Sequence, residues 1–209
     1  MPKPATFWND RFGQAEYVYG VQPNAFIREA AAQWLSAPQD LLVLGAGEGR
    51  NAVHLAREGH TVTAVDYAEE GLRKTQRLAD DADVQVDTVQ ADVRTWAPNR
   101  SWDAVVIAFL HLAPDQRPAL YRLVADVLRP SGLLLAEWFR PEQRTEGYTS
   151  GGPPDVDMMV SADELRRHFD ASGIEQLNRA EPTLSEGTHH EGPAATVRLV
   201  WRAPAPNDR

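Results

Sequence analysis

The sequence predicts a doubly wound α/β sheet, and three observations carry that prediction. Short apolar or β-branched runs recur along the chain: LLVLG at 41–45, TVTAVD at 61–66, VQVDTV at 84–89, DAVVIAFL at 103–110 and LLLAEWF at 133–139. Between them, apolar residues repeat at three- and four-residue spacing, as on one face of a helix. The first run ends in a glycine-rich turn that leads straight into such a helix. Continuous apolar strands suit a parallel sheet covered on both faces, and alternation with helices builds one.

Pro23 and Asn24 open a helix running to about Leu35, with Asn24 as its cap. After LLVLG, residues Ala52, Leu55, Ala56 and Gly59 give the next helix a small-residue face for that strand. Ala68, Leu72, Thr75 and Ala79 mark another helix. Leu120, Leu123, Val124, Val127 and Leu128 mark a third, with Pro114 expected in its first turn and Pro130 and Gly132 beyond its end. RPEQRTEGYTSGGPPDVD reads as a surface loop, with 141–157 a candidate lid. Ser161 and Glu164 stand at capping-box spacing and start a further helix. IEQLNRAE and ATVRLVWR read as the last two strands, pairing antiparallel around a polar loop, SEGTHHEG. A single domain is expected over 1–209, with a helical prelude at 1–36 and an α/β core at 41–203. Trp96, Trp102, Trp138 and Trp201 read as packing residues.

Composition narrows the function. A net charge of -9 over 209 residues disfavours broad attraction to nucleic acid or an anionic membrane and favours a small-molecule partner. No run is long and apolar enough to span a bilayer, and the opening segment lacks a signal-peptide core, so a cytoplasmic protein is expected. The absence of cysteine excludes disulfides, thiolate metal sites and a cysteine nucleophile. His189 and His190 lack metal-ligand spacing, and no metal is expected.

Gly45, Gly47 and Gly49 form a turn that permits unusual backbone angles and close approach of a polar ligand, with helix amides as donors. Asp66, at the end of the second strand, is placed to accept hydrogen bonds from a ribose diol. The dinucleotide fingerprint fails, because GxGxxG requires glycine where Arg50 stands. A nucleoside without a pyrophosphate fits better.

LGAGEGRNAVHLA, AVDYA, ADV at 91–93 and VLRPSGLLL resemble the successive motifs of class I S-adenosylmethionine-dependent methyltransferases. FWNDRFGQAEYVYGVQPNAFI, EWFRPEQ, TSGGPPDVDMM and EGTHHEG resemble small bacterial members related to the tellurite-resistance methyltransferase. The resemblance implies a seven-stranded sheet, mostly parallel, with the last strand antiparallel. It implies that Gly45, Ala46, Gly47, Glu48 and Gly49 cradle the methionyl part of S-adenosylmethionine. Asp66 would take the ribose and Asp92 and Val93 the adenine edge, with Tyr67, Ala108 and Phe109 also cofactor-binding. Val43 stands where the family usually has an acidic residue, which shifts weight to Glu48, Arg50 and Asn51. Trp8 and Tyr19 belong to an aromatic and basic cluster that can close over a sulfonium by cation-π attraction or simply pack as a helix.

The strand ends also carry acceptor-side candidates. His111 reads as a base, a hydrogen-bond donor or a plain polar residue. Glu137 reads as a site carboxylate or as the partner of a neighbour such as Arg140. The resemblance favours His190 as the family's histidine. The expected function is methyl transfer from S-adenosylmethionine, giving S-adenosylhomocysteine, to a small soft acceptor such as tellurite, selenite or a thiol-like compound. The alternatives are O- or N-methylation of a bacterial metabolite, with His111, Glu137 or His190 as base, and a non-catalytic binding module. Either a monomer or a homodimer is compatible with the sequence.

Overall fold

The computed structural model describes residues 3–36 and 38–205; the expected domain limits at 1 and 209 fall outside them. The five early strands are β1 (Asp40–Leu44), β2 (Thr61–Asp66), β3 (Val86–Gln90), β4 (Trp102–Ala108) and β5 (Leu128–Phe139). They run parallel to one another. With β6 (Ile174–Ala180) and β9 (Thr196–Arg202) they form one seven-stranded sheet in the order β3-β2-β1-β4-β5-β9-β6. β9 lies antiparallel between β5 and β6, as the sequence predicted for the last strand.

The alternating pleat explains the continuous apolar runs in β1, β4 and β5. Leu42 and Leu44 enter one core with Val105, Ile107 and Leu134, while Leu41 and Val43 enter the other with Ala104, Val106 and Leu135. Helices α2 (Ala25–Trp34) and α3 (Arg50–Arg57) contribute Ile27 and Leu55 to the second core, and α5 (Arg117–Val127) and α7 (Ala162–His168) contribute Val124 and Leu165 to the first. Truncating one such leucine to alanine costs about 2–5 kcal/mol, which is a large share of a domain's stability.

The two predicted caps form. The Asn24 side chain accepts from the Ile27 amide at 2.9 Å, and Ser161 Oγ accepts from the Glu164 amide at 3.1 Å. Pro114, in contrast, lies outside its helix. The Ala113 carbonyl accepts from the Gln116 and Arg117 amides, closing a turn, so α5 begins at Arg117 with Pro118 in its first turn. SEGTHHEG is also more ordered than a loop, because it joins β7 (Thr183–Ser185) to β8 (Glu191–Pro193) as a hairpin. A Cβ on Gly187 would stand 2.5–2.6 Å from backbone atoms of residues 18–20, so the hairpin tip seats directly on that segment.

Two elements complete the surroundings of the site. Helix α1 (Ala5–Phe12) leans on α4 (Glu69–Asp81), where Asn9 Oδ1 accepts from the Glu70 amide at 3.0 Å. The candidate lid contains α6 (Glu142–Thr145), and Arg144 donates to the carbonyls of Tyr148, Gly151, Gly152 and Pro153. Buried Gln143 donates to Ser150 Oγ and the Gly151 carbonyl, and accepts from the Ala195 amide. The loop is thereby tied to the sheet by its own side chains.

Candidate functional site

Sheet order reverses between β1 and β4, the switch point where open α/β sheets leave a crevice at their carboxyl ends. A cavity of about 550 Å³ opens there. Among the sequence-predicted residues, Trp8, Tyr19, Gly45, Ala46, Gly47, Glu48, Arg50, Asn51, Asp66, Tyr67, Asp92, Val93, Ala108, Phe109, His111 and His190 line it. Gly49 and Glu137 stand outside that lining.

The glycine turn has the backbone that its composition allows. Gly45 and Gly47 have φ of +65° and +55°, in the left-handed region that side chains disfavour. Gly49 is needed for packing, because a Cβ there would meet Thr75 Oγ1 at 2.6 Å; it sets the approach of α3 to α4. Asp66 braces the turn, accepting from the Gly47 amide at 2.8 Å through Oδ2 and from the Ala68 amide at 2.9 Å through Oδ1. Burial raises the Asp66 pKa above the ordinary carboxylate value, opposed by the amides of Ala68, Gly47 and Tyr67. Each carboxylate oxygen retains a second acceptor site for a ligand hydroxyl.

Beyond Asp66, the Tyr67 hydroxyl donates to the Lys3 carbonyl at 2.6 Å, and burial pushes its pKa to about 12. Asp92 is clasped by the Arg94 guanidinium, which holds its carboxyl below the usual range. Val43 occupies a core position, 2% exposed. The three side chains expected to take its weight point into the protein. Glu48 pairs with Lys74 at 2.7 Å and accepts from the Tyr19 amide, Arg50 pairs with Glu186 at 2.7 Å, and Asn51 accepts from the Asn24 amide at 2.9 Å. These contacts fasten the segment before α2 over the glycine turn.

On the other side, Phe109 adopts φ +57°, uncommon for a residue with a side chain. That turn stacks its ring on Phe139, with centroids 4.4 Å apart, and sets it edge-on to His190 at 4.7 Å. His190 also contacts the Tyr19 ring at 4.6 Å. Its Nδ1 lies 3.8 Å from Glu186. Burial lowers the His190 pKa, Glu186 opposes the shift and Arg50 adds to it. His111 is held at both nitrogens: Nδ1 lies 3.1 Å from the Met158 carbonyl and Nε2 lies 3.4 Å from the Phe139 amide. That pairing makes Nδ1 the protonated nitrogen. Burial depresses its pKa to about 3.

Glu137 is fully buried, behind the cavity wall. It accepts from Asn24 Nδ2 at 2.7 Å, Thr196 Oγ1 at 2.9 Å and Arg198 Nε at 2.6 Å. Its ion-pair partner is therefore Arg198, directly opposite on the adjacent strand β9, while Arg140 pairs with Glu142 and Glu181. Sequence reasoning did not single out Phe12, Phe139, Met158 or Glu186 as site residues. Phe12 and Phe139 sit in apolar patterns indistinguishable from core, and Glu186 finds its partners only through long-range folding.

Residues 41–132 match the family model described as a methyltransferase domain. Within a stretch of 148 residues the chain is 28% identical to thiocyanate methyltransferase 1 of Arabidopsis thaliana, covering 68% of this chain and 63% of that protein. The matched region spans 50% to 63% of the length of the curated relatives. The likeness in fold to solved structures extends further than that match. A structure solved for the conversion of a disulfide bond into a thioacetal group during echinomycin biosynthesis superposes with a TM-score of 0.77 at 18% identity, covering 97% of this chain and 91% of that one. TehB from Haemophilus influenzae superposes with a TM-score of 0.69 at 15% identity, covering 95% and 66%. The N-methyltransferase NodS from Bradyrhizobium japonicum, in complex with S-adenosylhomocysteine, does so with a TM-score of 0.68 at 14% identity, covering 96% and 98%.

Proposed function

We propose that this protein is an S-adenosylmethionine-dependent methyltransferase acting on a small soft acceptor. The observation that carries this reading is the glycine turn braced by Asp66 at the switch point, opening on the cavity, in a chain whose residues 41–132 match a methyltransferase domain. The residues fit the cofactor on their own chemistry. A Cβ on Gly47 would reach the Phe12 ring at 3.4 Å, so the turn leaves a shallow cradle roofed by an aromatic face. Asp66 offers acceptor sites for a diol, while Trp8, Phe12 and Tyr19 surround the turn with rings that favour a cation.

S-adenosylmethionine, when bound, supplies an electrophilic methyl group on a sulfonium. The protein's share is alignment and exclusion of water. Phe109 and Phe139 form the dry wall, and Gly151 and His190 close it. His190, neutral at pH 7, is available to take a proton from an acceptor, and Glu186 stands beside it to stabilise the resulting charge. His111, committed at both nitrogens, serves to hold Phe139 and Met158 in place. A sulfur, selenium or tellurium lone pair requires little help from a base, which suits such a wall.

Calorimetric titration with S-adenosylhomocysteine, followed by a methyl-transfer screen of thiols, thiocyanate, selenite and tellurite, tests the reading. Binding with turnover of a soft acceptor supports it; turnover only of hydroxyl or amine acceptors overturns the acceptor assignment.

A further inference from the structure

We propose that the acceptor is an uncharged organic thiol bearing an apolar group, and that chalcogen oxyanions are poor substrates. This rests on the methyltransferase reading and assigns the substrate class of the same cavity. The sheet order divides the cavity in two. The turns after β1 and β3 carry the glycines and Asp92, and Asp66 ends β2, while β4, β5, residues 151–158 and the hairpin enclose the other half.

That second half is walled by Phe109, Leu110, Phe139, Pro153, Pro154 and Met158. Four titratable groups also face it. His111 and His190 are held neutral by burial, His189 is exposed at the rim, and Asp155 accepts the Asp157 amide through Oδ1 at 3.1 Å. The guanidiniums around this half are engaged: Arg117 with Glu164 and the Leu112, Asp157 and Met159 carbonyls, Arg144 with the Gly151, Gly152 and Pro153 carbonyls, and Arg50 with Glu186 and the Tyr19 carbonyl. Arg11 belongs to the other half, over the Phe7 and Trp8 rings and bonded to the Tyr19 hydroxyl at 3.0 Å.

An oxyanion entering this half would give up its water to carbon, while the nearby guanidiniums are already engaged by Glu186, Glu164 and backbone carbonyls. A thiol with an apolar substituent loses little on entry and gains contact with the rings. In the transfer, the acceptor sulfur forms an S–C bond to the methyl carbon as the sulfonium S–C bond breaks. The electron pair of the broken bond stays on the sulfur of S-adenosylhomocysteine. The thiol proton passes to neutral His190 and then to water, so the net reaction releases one proton.

The test uses the full chain loaded with S-adenosylhomocysteine. Phenylmethanethiol, its S-methyl product and selenite are titrated by calorimetry, and turnover with S-adenosylmethionine is then compared for phenylmethanethiol, 2-mercaptoethanol, thioglycolate and selenite. The expected result is binding of the aromatic thiol and sulfide, no binding of selenite, and kcat/KM for phenylmethanethiol at least about tenfold above that for 2-mercaptoethanol. Equal values for those two thiols, or faster turnover of selenite or thioglycolate, overturn the proposal while leaving the methyltransferase reading intact. No binding of S-adenosylhomocysteine to the folded protein overturns both.

Discussion

The Gly47 amide donates to Asp66 Oδ2 at 2.8 Å, so residues nineteen apart in sequence meet at the mouth of the cavity. One carboxylate thus shapes the turn and offers its remaining lone pairs to a ligand. Asp66→Asn is isosteric but keeps only one acceptor, sets its NH2 against the amide of Gly47 or Ala68, and loses the charge. It is expected to weaken S-adenosylhomocysteine binding by about 1–3 kcal/mol, or roughly 5- to 150-fold in Kd. Calorimetry checks this; unchanged affinity in a variant with wild-type melting removes Asp66 from the ligand.

Gly151 underlies the seat of His190. With φ at +126°, a Cβ there would fall 2.6 Å from His190 Cδ2 and 2.7 Å from the His189 carbonyl. Gly151→Ala is expected to cost about 1–3 kcal/mol in stability and to lower kcat/KM while leaving S-adenosylhomocysteine affinity near wild type. Thermal melting and steady-state kinetics measure the two effects. Wild-type kinetics in the variant would separate the position of His190 from turnover.

Glu186 raises the His190 pKa against the effect of burial. In Glu186→Gln that support disappears, so the imidazole should titrate at lower pH, and the acid limb of kcat/KM should move the same way. Loss of charge stabilisation should also lower kcat by about tenfold or more. NMR titration of the histidine ring gives the first effect directly. An unmoved midpoint would mean that the 3.8 Å approach carries no electrostatic weight.

His111 links stability to pH. Its folded pKa of about 3 lies below the unfolded value near 6.5, so the unfolded chain binds the proton first as pH falls. Its contribution is complete above pH 6.5 and declines by about 1.4 kcal/mol per unit down to about pH 3. Between about pH 6.5 and 5, wild type should therefore lose about 2 kcal/mol more than His111→Gln in denaturant melts. Equal losses would contradict the burial of a neutral imidazole.

Much of this arrangement was legible in the sequence where the cause was local. Asn24 announced its cap because the capping interaction spans three residues, and LLVLG announced a strand covered on both faces because its two faces are equally apolar. Pro114 misled because a proline suits a turn as well as a helix start, and only the Ala113 carbonyl's partners decide between them. The least legible feature was the polar cluster behind the wall. The Asn24 side-chain amide donates to Glu137 at 2.7 Å and Glu186 at 3.1 Å, joining residues 113 and 162 positions away. Nothing in the neighbouring sequence of Glu137 distinguishes a site carboxylate from one satisfied by Asn24, Thr196 and Arg198.

The central claim is that the turn from Gly45 to Gly49 and Asp66 hold S-adenosylmethionine. The most direct measurement is calorimetric titration of the folded wild-type chain with S-adenosylhomocysteine, with NAD as control. The account predicts saturable one-to-one binding of S-adenosylhomocysteine and no heat from NAD. Binding of NAD alone, or of neither ligand, would contradict it.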